Sequence, residues 1–446
     1  MIYMDNNCSA HGFLCGYFSC NDLETRLVSG SRGIGEGGWV RQVLSEQEYS
    51  RLCNIYYESY VDSLVEKSEA SSRRKDIYSS TAHYVLTADC QCVLRSQEIY
   101  REFKRNGALV KEFPLPGDFS FTVSRIHLYG FPYGIVLFAI ELDESSVSFD
   151  LLTAAHQELR NVNSYKKWVA RGAAAEYLAA IAPLVEVVKD KDSDVMPYGR
   201  LVETGGKLKL FQIIKTKEVD DALLYELGCL FKPGIVKEGT DKTCPSDSYY
   251  ASVIDNNTLH VFKNWKVLAL FDTFTVLGDV GFFQWSLYFR MIYVHALYQK
   301  RLLFDLNQRF RMPSQARGMG KLVNEMMERE RYYSFPTISY NFLPQMIYEK
   351  ACHGLDLESE RTQLHKYVEQ EGRRMETIAE KRTSRMLFAL TLLAVASAMY
   401  DLTGLVTSVL GYEPASCSYN LVSLIVVALV LVVMISILVY NKCRKI

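Results

Sequence analysis

Two hydrophobic stretches near the C-terminus set the fold class of this chain: MLFALTLLAVASAMYDLTGLVTSVL (residues 386–410) and LVSLIVVALVLVVMISILVY (residues 421–440). At about 1.5 Å per residue, the second stretch is long enough to cross a hydrocarbon core of about 30 Å. The first is richer in small and polar residues, which favours a helix that faces protein or water. We therefore predict a transmembrane hairpin with two spans.

Basic residues flank the predicted hairpin at both ends. Three lie in residues 381–385 before the first span, and three lie in the tail, residues 441–446. The intervening loop, residues 411–420, has no Lys or Arg and a single acid, Glu413. Because basic residues concentrate on the cytoplasmic side, both chain ends are predicted to be cytoplasmic and the loop external. The sequence thus indicates a multi-pass protein of the cytoplasmic membrane.

A charged segment precedes the first span, and we predict a turn followed by a long stalk helix over residues 331–385. Residues recur in it at alternating spacings of four and three: Leu364, Val368, Glu371, Met375, Ile378, Arg382 and Arg385. This seam, interrupted by charge, is typical of a self-associating helix. An amphipathic helix packed on its own domain would show a similar pattern. Both interpretations stay open.

Continuing the same register into the first span predicts a pore-lining face. It carries a mostly apolar line of residues: Ala389, Leu392, Ala396, Met399 and Thr403. Narrow hydrophobic constrictions of this kind gate ion flow by dewetting. Asp401 is added to the set because a carboxylate inside a span costs about 2.5 to 3.5 kcal/mol near the centre and usually faces protein or water. It is predicted to lie on a cation pathway, to bond a neighbouring Tyr or Thr hydroxyl at a helix interface, or to extend outward to the membrane surface.

The first 330 residues are predicted to form a cytosolic α/β (α+β) ligand-sensing domain. The clearest signal is a β-hairpin over residues 119–129 and 135–142, joined by a turn that contains Gly130, Pro132 and Gly134. Residues 135–140 are continuously apolar, which predicts a central strand. Further strands are predicted at residues 84–94, 201–216 and 259–270, and helices at 40–67, 101–105, 148–162, 165–188 and 281–310.

Three segments resemble ligand sites without matching a motif in full. Residues 33–38, GIGEGG, fit G-x-G-x-x-G but lack a convincing strand before them, so a flexible loop is the alternative to a nucleotide site. The acids of residues 190–194 fail the EF-hand pattern and form either a loose divalent-cation site or an acidic linker. The four zinc-type residues near the N-terminus lack paired C-x-x-C spacing: Cys8, His11, Cys15 and Cys20.

Composition excludes several classes of function. The formal net charge is −1, which gives no electrostatic footprint for direct binding to nucleic acid. No G-x-S-x-G or H-E-x-x-H motif occurs, so the sequence does not predict an enzyme. It does not predict a resident cofactor either, apart from a divalent cation as a transported or regulatory ion. The eleven cysteines indicate a reducing cytosolic setting and not a disulfide framework, and only Cys417, in the predicted external loop, would face an oxidising compartment.

The whole arrangement resembles the CorA family of divalent-cation channels. The shared features are a large N-terminal α/β domain, a long charged helix continuous with the first of two C-terminal spans, a short outer loop and a basic end. Membership would imply a homopentamer in which the first span lines the pore. The family's Gly-Met-Asn filter motif is missing, since residues 400–404 read YDLTG and residues 411–413 read GYE. The resemblance therefore does not extend to magnesium selectivity.

Four stretches are similar to the CorA-like membrane proteins encoded beside type III CRISPR systems. They are HLYGFPYGIVLFAIELD (127–143), NWKVLALFDTFT (264–275), SYNFLPQMIY (339–348) and SAMYDL (397–402). This resemblance implies an antiviral effector in the membrane, opened by a nucleotide second messenger, either a cyclic oligoadenylate or a conjugate of S-adenosylmethionine with AMP. The alternatives are housekeeping transport of Mg²⁺ or other divalent cations, and a membrane-anchored cytosolic binding protein or enzyme.

Overall fold

The computed structural model of the chain describes residues 7–42, 82–105, 108–188, 198, 201, 206–238, 244–311, 322–328 and 335–409. The chain divides into two compact units, Met1–His365 and Lys366–Ile446. The first unit is a mixed α/β domain with a large sheet, as predicted, and a long helix follows it.

The large sheet of the first unit contains nine of the described strands. In sequence order, the strands are β1 (Asn7–Ser19), β2 (Trp39–Arg41), β3 (Ala82–Leu94), β4 (Arg101–Arg105), β5 (Ala108–Glu112), β6 (Phe119–Phe131), β7 (Ile135–Ser148), β8 (Lys209–Lys215), β9 (Thr258–Phe262), β10 (Trp265–Ala269) and β11 (Thr273–Gly278). The order across the large sheet is β2-β3-β6-β7-β1-β8-β11-β10-β9, and β4 pairs with β5 alone. Strands β8 and β11 are parallel, and the other neighbours are antiparallel.

The predicted hairpin is confirmed as β6 and β7. Its turn places Tyr133 and Gly134 in the left-handed region, with φ of 65° and 70°. Residues 135–142 are buried throughout, because β7 has helices over both faces and a strand on either side. The predicted central position of this strand is therefore also confirmed.

Strand β1 was not predicted, although it lies at the centre of the sheet between β7 and β8. Its two glycines and its polar residues hide the alternation that identifies a strand. One of these glycines is required by packing: a Cβ at Gly16 would lie 2.8 Å from the carbonyl oxygen of Leu201 and would overlap the Phe138 ring. This close contact explains why β1 has a glycine at position 16, although glycine weakens a strand.

Helices cover both faces of the sheet. The described helices of the first unit include α1 (Leu23–Ser29), α2 (Phe149–Leu159), α3 (Val162–Arg171), α4 (Ala175–Val188), α5 (Asp221–Cys229), α6 (Ile235–Glu238), α7 (Asp247–Asn257), α8 (Arg290–Arg311) and α9 (Phe342–Gly354). Successive residues of β1 show the two faces: Phe13 lies under Arg290 of α8, whereas Gly12 lies under His156 of α2.

Several predicted elements need correction. Residues 101–105 form strand β4 and not a helix. The single helix predicted over residues 165–188 is α3 and α4, because Gly172 ends α3 with a φ of 68°. Residues 40–41 belong to β2, and the rest of the helix predicted there lies outside the described residues, apart from Gln42, which is not helical. The strand prediction over 201–216 reduces to β8.

Two helix predictions are confirmed in their main features. Ser148 caps α2 by accepting a hydrogen bond from the backbone N–H of Leu151. The buried helix predicted over residues 281–310 corresponds to α8, preceded by a π-helical turn, Trp285–Phe289. Its inner face is buried against the sheet, which explains the aromatic residues that it carries.

A single long helix, α10 (Leu357–Val409), contains 53 residues. Within the described part of the chain, it is the one helix that is long and apolar enough to cross a membrane, and no residue of its most hydrophobic stretch is buried. The predicted external loop, second span and basic tail, residues 411–446, lie outside the described residues. The structure thus shows the stalk and the first hydrophobic stretch as one helix.

Candidate functional site

A cavity of about 410 Å³ lies in the first unit between β1, β8, α8 and the first turn of α10. Its wall contains four cationic side chains and two carboxylates: Lys207, Lys209, Lys300, Arg301, Asp272 and Glu360. The lining therefore carries a surplus of two positive charges. Apart from Leu201, whose neighbours along the chain are not described, the residues are contributed by regular elements or the ends that flank them. We call this space the basic cavity.

Lys209 and Asp272 form the pair on the β8 side of the basic cavity. The Lys209 ammonium donates to Asp272 Oδ1 at 2.9 Å and to the carbonyl oxygen of Phe271 at 2.7 Å. Burial lowers the pKa of Lys209 although Asp272 opposes the shift. For Asp272, burial alone would raise the pKa, but Lys209 and the buried Arg160 together lower it. The pairing therefore favours the charged form of Asp272 and partly offsets the effect of burial on Lys209.

Glu360 joins the basic cavity to the start of α10. Its carboxylate accepts hydrogen bonds from the Lys300 ammonium at 3.2 Å and from Asn307 Nδ2 at 2.7 Å. Asn307 Nδ2 also donates to the Glu360 carbonyl oxygen at 3.1 Å. Lys300 and Asn307 of α8 thus hold the first turn of α10 through Glu360.

Aromatic rings lie beside the cations of the basic cavity. The ammonium groups of Lys209 and Lys300 lie 3.5 Å and 5.1 Å from the centroid of the Phe271 ring. Arg301 lies 4.8 Å from the centroid of the Tyr17 ring. Cationic groups next to exposed aromatic faces suit a ligand that has both negative charge and a planar ring.

A second polar cluster lies on the α8 face of the sheet, where side chains of β3, β6, β7 and β1 form a continuous chain. His83 Nε2 lies 3.2 Å from His127 Nδ1, and His127 Nε2 lies 2.9 Å from Glu141 Oε2. The other oxygen of Glu141 lies 3.0 Å from His11 Nε2, and His11 Nδ1 contacts Asp143. We call this group the histidine chain.

Two members of the histidine chain, His11 and His127, have opposite protonation behaviour. Burial tends to lower the pKa of His11, but hydrogen bonds to Asp143 and Glu141 outweigh it and raise the pKa to about 9. Burial lowers the pKa of His127 to about 4, and the buried Arg290 adds to this shift. At neutral pH the proton therefore resides on His11, next to two carboxylates, whereas His127 is neutral.

These shifts predict a stability maximum near pH 6.5. The stabilisation from His11 is fully present below its ordinary pKa and is lost as pH rises from about 6.5 to 9. The contribution of neutral His127 is present above about 6.5 and is lost as pH falls to about 4. The decrease in stability on either side of the maximum, here called the acid limb and the alkaline limb, is at most about 3 kcal/mol in each case. We expect the thermal midpoint of the detergent-solubilised protein to be highest near pH 6.5 and to decrease at both lower and higher pH.

The substitution His11→Gln should remove the alkaline limb and leave the acid limb in place. His260→Gln, at an exposed position in β9, is the matched control and should keep both limbs. An alkaline limb of unchanged size in the His11 variant would contradict the assignment.

The structure separates the four residues with zinc-type side chains near the N-terminus. Cys8 donates to the carbonyl oxygen of Val147, while His11 belongs to the histidine chain. Cys20 contacts Asp22, and Cys15 is buried under α8. Among the described residues, no group of three or more His, Cys, Asp or Glu side chains is arranged to hold a metal ion.

The glycine-rich loop, residues 33–38, does not have the surroundings of a dinucleotide site. It follows helix α1 and leads into strand β2, whereas that motif needs a strand before it and a helix after it. The acids of residues 190–194 lie outside the described residues.

All six predicted pore-lining residues lie in helix α10. They are Ala389, Leu392, Ala396, Met399, Asp401 and Thr403, and only the backbone of Thr403 is described. The helical geometry places the five members of the apolar line at helical spacings along one side. Their role in a pore stays a prediction.

Sequence reasoning missed both polar clusters of the first unit. The residues of the basic cavity come from distant parts of the chain, and the order of the strands brings them together. One signal was present: Lys300 and Arg301 interrupt the buried face of a long aromatic helix. Charged residues on such a face need partners, which points to a polar site.

Searches of family models, curated proteins and solved structures gave no match to this chain. The CorA-like resemblance therefore stays a prediction from the sequence.

Proposed function

We propose that the chain is one subunit of a homo-oligomeric, CorA-like channel in the cytoplasmic membrane, gated by a small ligand that binds the N-terminal unit. The observation that carries this proposal is the continuity of α10. One helix contributes Glu360 to the basic cavity and also contains the exposed apolar stretch of the predicted first span. A change at the cavity therefore acts on the same element that enters the membrane.

The exposed leucines of α10 support a membrane or oligomer environment. Leu390 and Leu393 are 62% and 68% exposed. Burying a leucine contributes about 1.5–3 kcal/mol, so a stretch with several exposed leucines is stabilised by lipid or by a second copy of the helix. In the proposed channel, lipid covers the apolar residues on one side of α10, and neighbouring subunits cover those on the other side.

The predicted pore face supports an ion pathway over a simple anchor. It combines small residues such as Ala389 and Ala396, which let helices approach closely, with Met399 at a constriction, and Asp401 lies near the outer end of the same span. A pure anchor needs no acid inside a span, because the acid costs insertion energy. A pentamer would place five acids around one pathway for cations.

The ligand we favour is a nucleotide signal of type III CRISPR antiviral defence, on the basis of the four stretches quoted above. The charge and aromatic lining of the basic cavity are compatible with that class. Housekeeping divalent-cation transport would need no such cavity. A membrane-anchored binding protein would use the cavity without conducting ions.

The predicted topology has a direct test in intact cells, using a membrane-impermeant maleimide. Cys417 lies in the predicted external loop and Cys443 in the predicted cytoplasmic tail. We expect Cys417→Ser to abolish labelling and Cys443→Ser, the matched control, to retain it. Labelling that survives Cys417→Ser or disappears with Cys443→Ser would contradict the two-span topology.

The mass of the purified protein in detergent tests the assembly. We expect a single oligomer, with five subunits as the expected number. A monomer in mild detergent would contradict a pore formed between subunits.

A further inference from the structure

We infer that the basic cavity binds a phosphate-bearing small molecule, and that this ligand takes Lys300 away from Glu360. The inference rests on the proposed function only for its consequence in gating, and binding itself can be tested separately.

The charge of the cavity supports a phosphate. The lining has a surplus of two positive charges, and this surplus persists when the buried Arg160 and Asp305, which pair with lining residues, are included. A phosphate monoester carries about −1.5 to −2 charges at neutral pH. One such group therefore balances the site.

The positions of Lys209 and Lys300 also support the binding of one anion to both side chains. Lys209 and Lys300 reach the same ring, Phe271, so the fold holds two ammonium groups close together. Lys300 is one of the charges that lower the pKa of Lys209, after the larger effect of burial. An anion between the two ammonium groups relieves their repulsion, and the half-exposed Phe271 ring offers a face to a planar group on the ligand.

Glu360 is the carboxylate that such a ligand displaces. It is bound to Lys300 at 3.2 Å, whereas Asp272 is held by both Lys209 and the buried Arg160. A phosphate has more acceptor oxygens and a larger charge than a carboxylate, so it competes effectively for Lys300. When Lys300 turns to the ligand, Glu360 keeps its hydrogen bonds to Asn307 but loses its ion pair with α8. Ligand binding thus loosens the start of the helix that enters the membrane.

The test is AMP binding to the detergent-solubilised full chain by titration calorimetry, with adenosine as the uncharged comparison. We expect AMP to bind at least tenfold more tightly than adenosine. Lys300→Gln should weaken AMP binding about 10- to 100-fold, because it removes a charge-assisted contact. Lys266→Gln is the matched control: Lys266 is 12% exposed and paired with Asp221, as Lys300 is 14% exposed and paired with Glu360.

A second variant predicts a change of the opposite sign. Glu360→Gln removes the competing charge and should tighten AMP binding about fivefold or more. A substitution that merely damages the fold cannot produce tighter binding. Absence of AMP binding by the natural sequence, equal affinity for adenosine, or unchanged affinity in Glu360→Gln would overturn the inference.

The outcomes separate this site from the channel function. AMP binding that follows these variants, in a protein that conducts no ions under any condition, would support the site and reject the channel. Ion flux that responds to a nucleotide with equal sensitivity in all three variants would reject the site and leave the channel in place.

Discussion

Replacing Gln212 with leucine should lower the free energy of unfolding of the first unit by about 3 kcal/mol. Gln212 is 1% exposed on β8, and its Oε1 accepts a hydrogen bond from His156 Nδ1 at 2.9 Å. Its Nε2 donates to the Leu227 carbonyl oxygen at 3.0 Å and to Thr275 Oγ1 at 2.8 Å. Leucine leaves three buried polar groups without this partner, and each such loss costs about 1–3 kcal/mol.

Urea denaturation followed by tryptophan fluorescence measures this effect. Gln91→Leu is the matched control, because Gln91 is an exposed glutamine on strand β3. Its effect should stay within about 0.5 kcal/mol. Equal losses in both variants would show that the Gln212 hydrogen bonds do not hold α2, α5 and β11 to the centre of the sheet.

Asp401→Asn should reduce cation flux about tenfold or more. In the proposed channel, each subunit places one Asp401 carboxylate at the same depth, and unit charges about 4 Å apart attract a cation by about 1 kcal/mol each even in water. Losing several such attractions at once changes the local cation concentration by at least an order of magnitude. Asn has nearly the same shape, so the helix itself is preserved.

Flux of a radioactive or fluorescent-reported cation into liposomes measures this change. Asp247→Asn, in the first turn of α7 of the N-terminal unit, is the control and should conduct as the natural sequence does. If Asp401→Asn and Asp247→Asn conduct equally, Asp401 does not line the pathway, and its role is that of an acid bonded at a helix interface.

The parts of the fold that the sequence predicted are those in which local pattern and final environment agree. The β6–β7 hairpin combines an apolar run with a turn whose residues, Tyr133 and Gly134, adopt positive φ. Helix α10 has a charged segment followed by an apolar one, and no proline interrupts it. In both cases, the local sequence determines the element and tertiary contacts only position it.

The elements that were missed are those in which tertiary contacts override local pattern. Strand β1 is central because β7 and β8 pair with both its edges, although Gly12 and Gly16 lower its strand propensity. Residues 101–105, REFKR, look helical in isolation, but pairing with β5 makes them a strand. Such pairing depends on residues that the local sequence does not contain.

The candidate site could not be predicted from local sequence patterns for the same reason. Lys209, Lys300 and Glu360 lie about 60 to 150 positions apart, and only the fold brings them to one cavity. The histidine chain joins four strands whose order in the sheet differs from their order in the sequence. No spacing rule could have grouped these residues. By contrast, the predicted pore-lining residues lie within one helix, where a simple period places the five members of the apolar line.

Cation flux through liposomes reconstituted with the full chain is the most direct test of the proposed channel, recorded before and after a panel of adenine nucleotides is added. The proposal predicts a cation flux that at least one phosphorylated member of the panel changes and that adenosine leaves unchanged. A protein that is inserted in the liposomes as an oligomer and passes no cation, with or without any member of the panel, would contradict it.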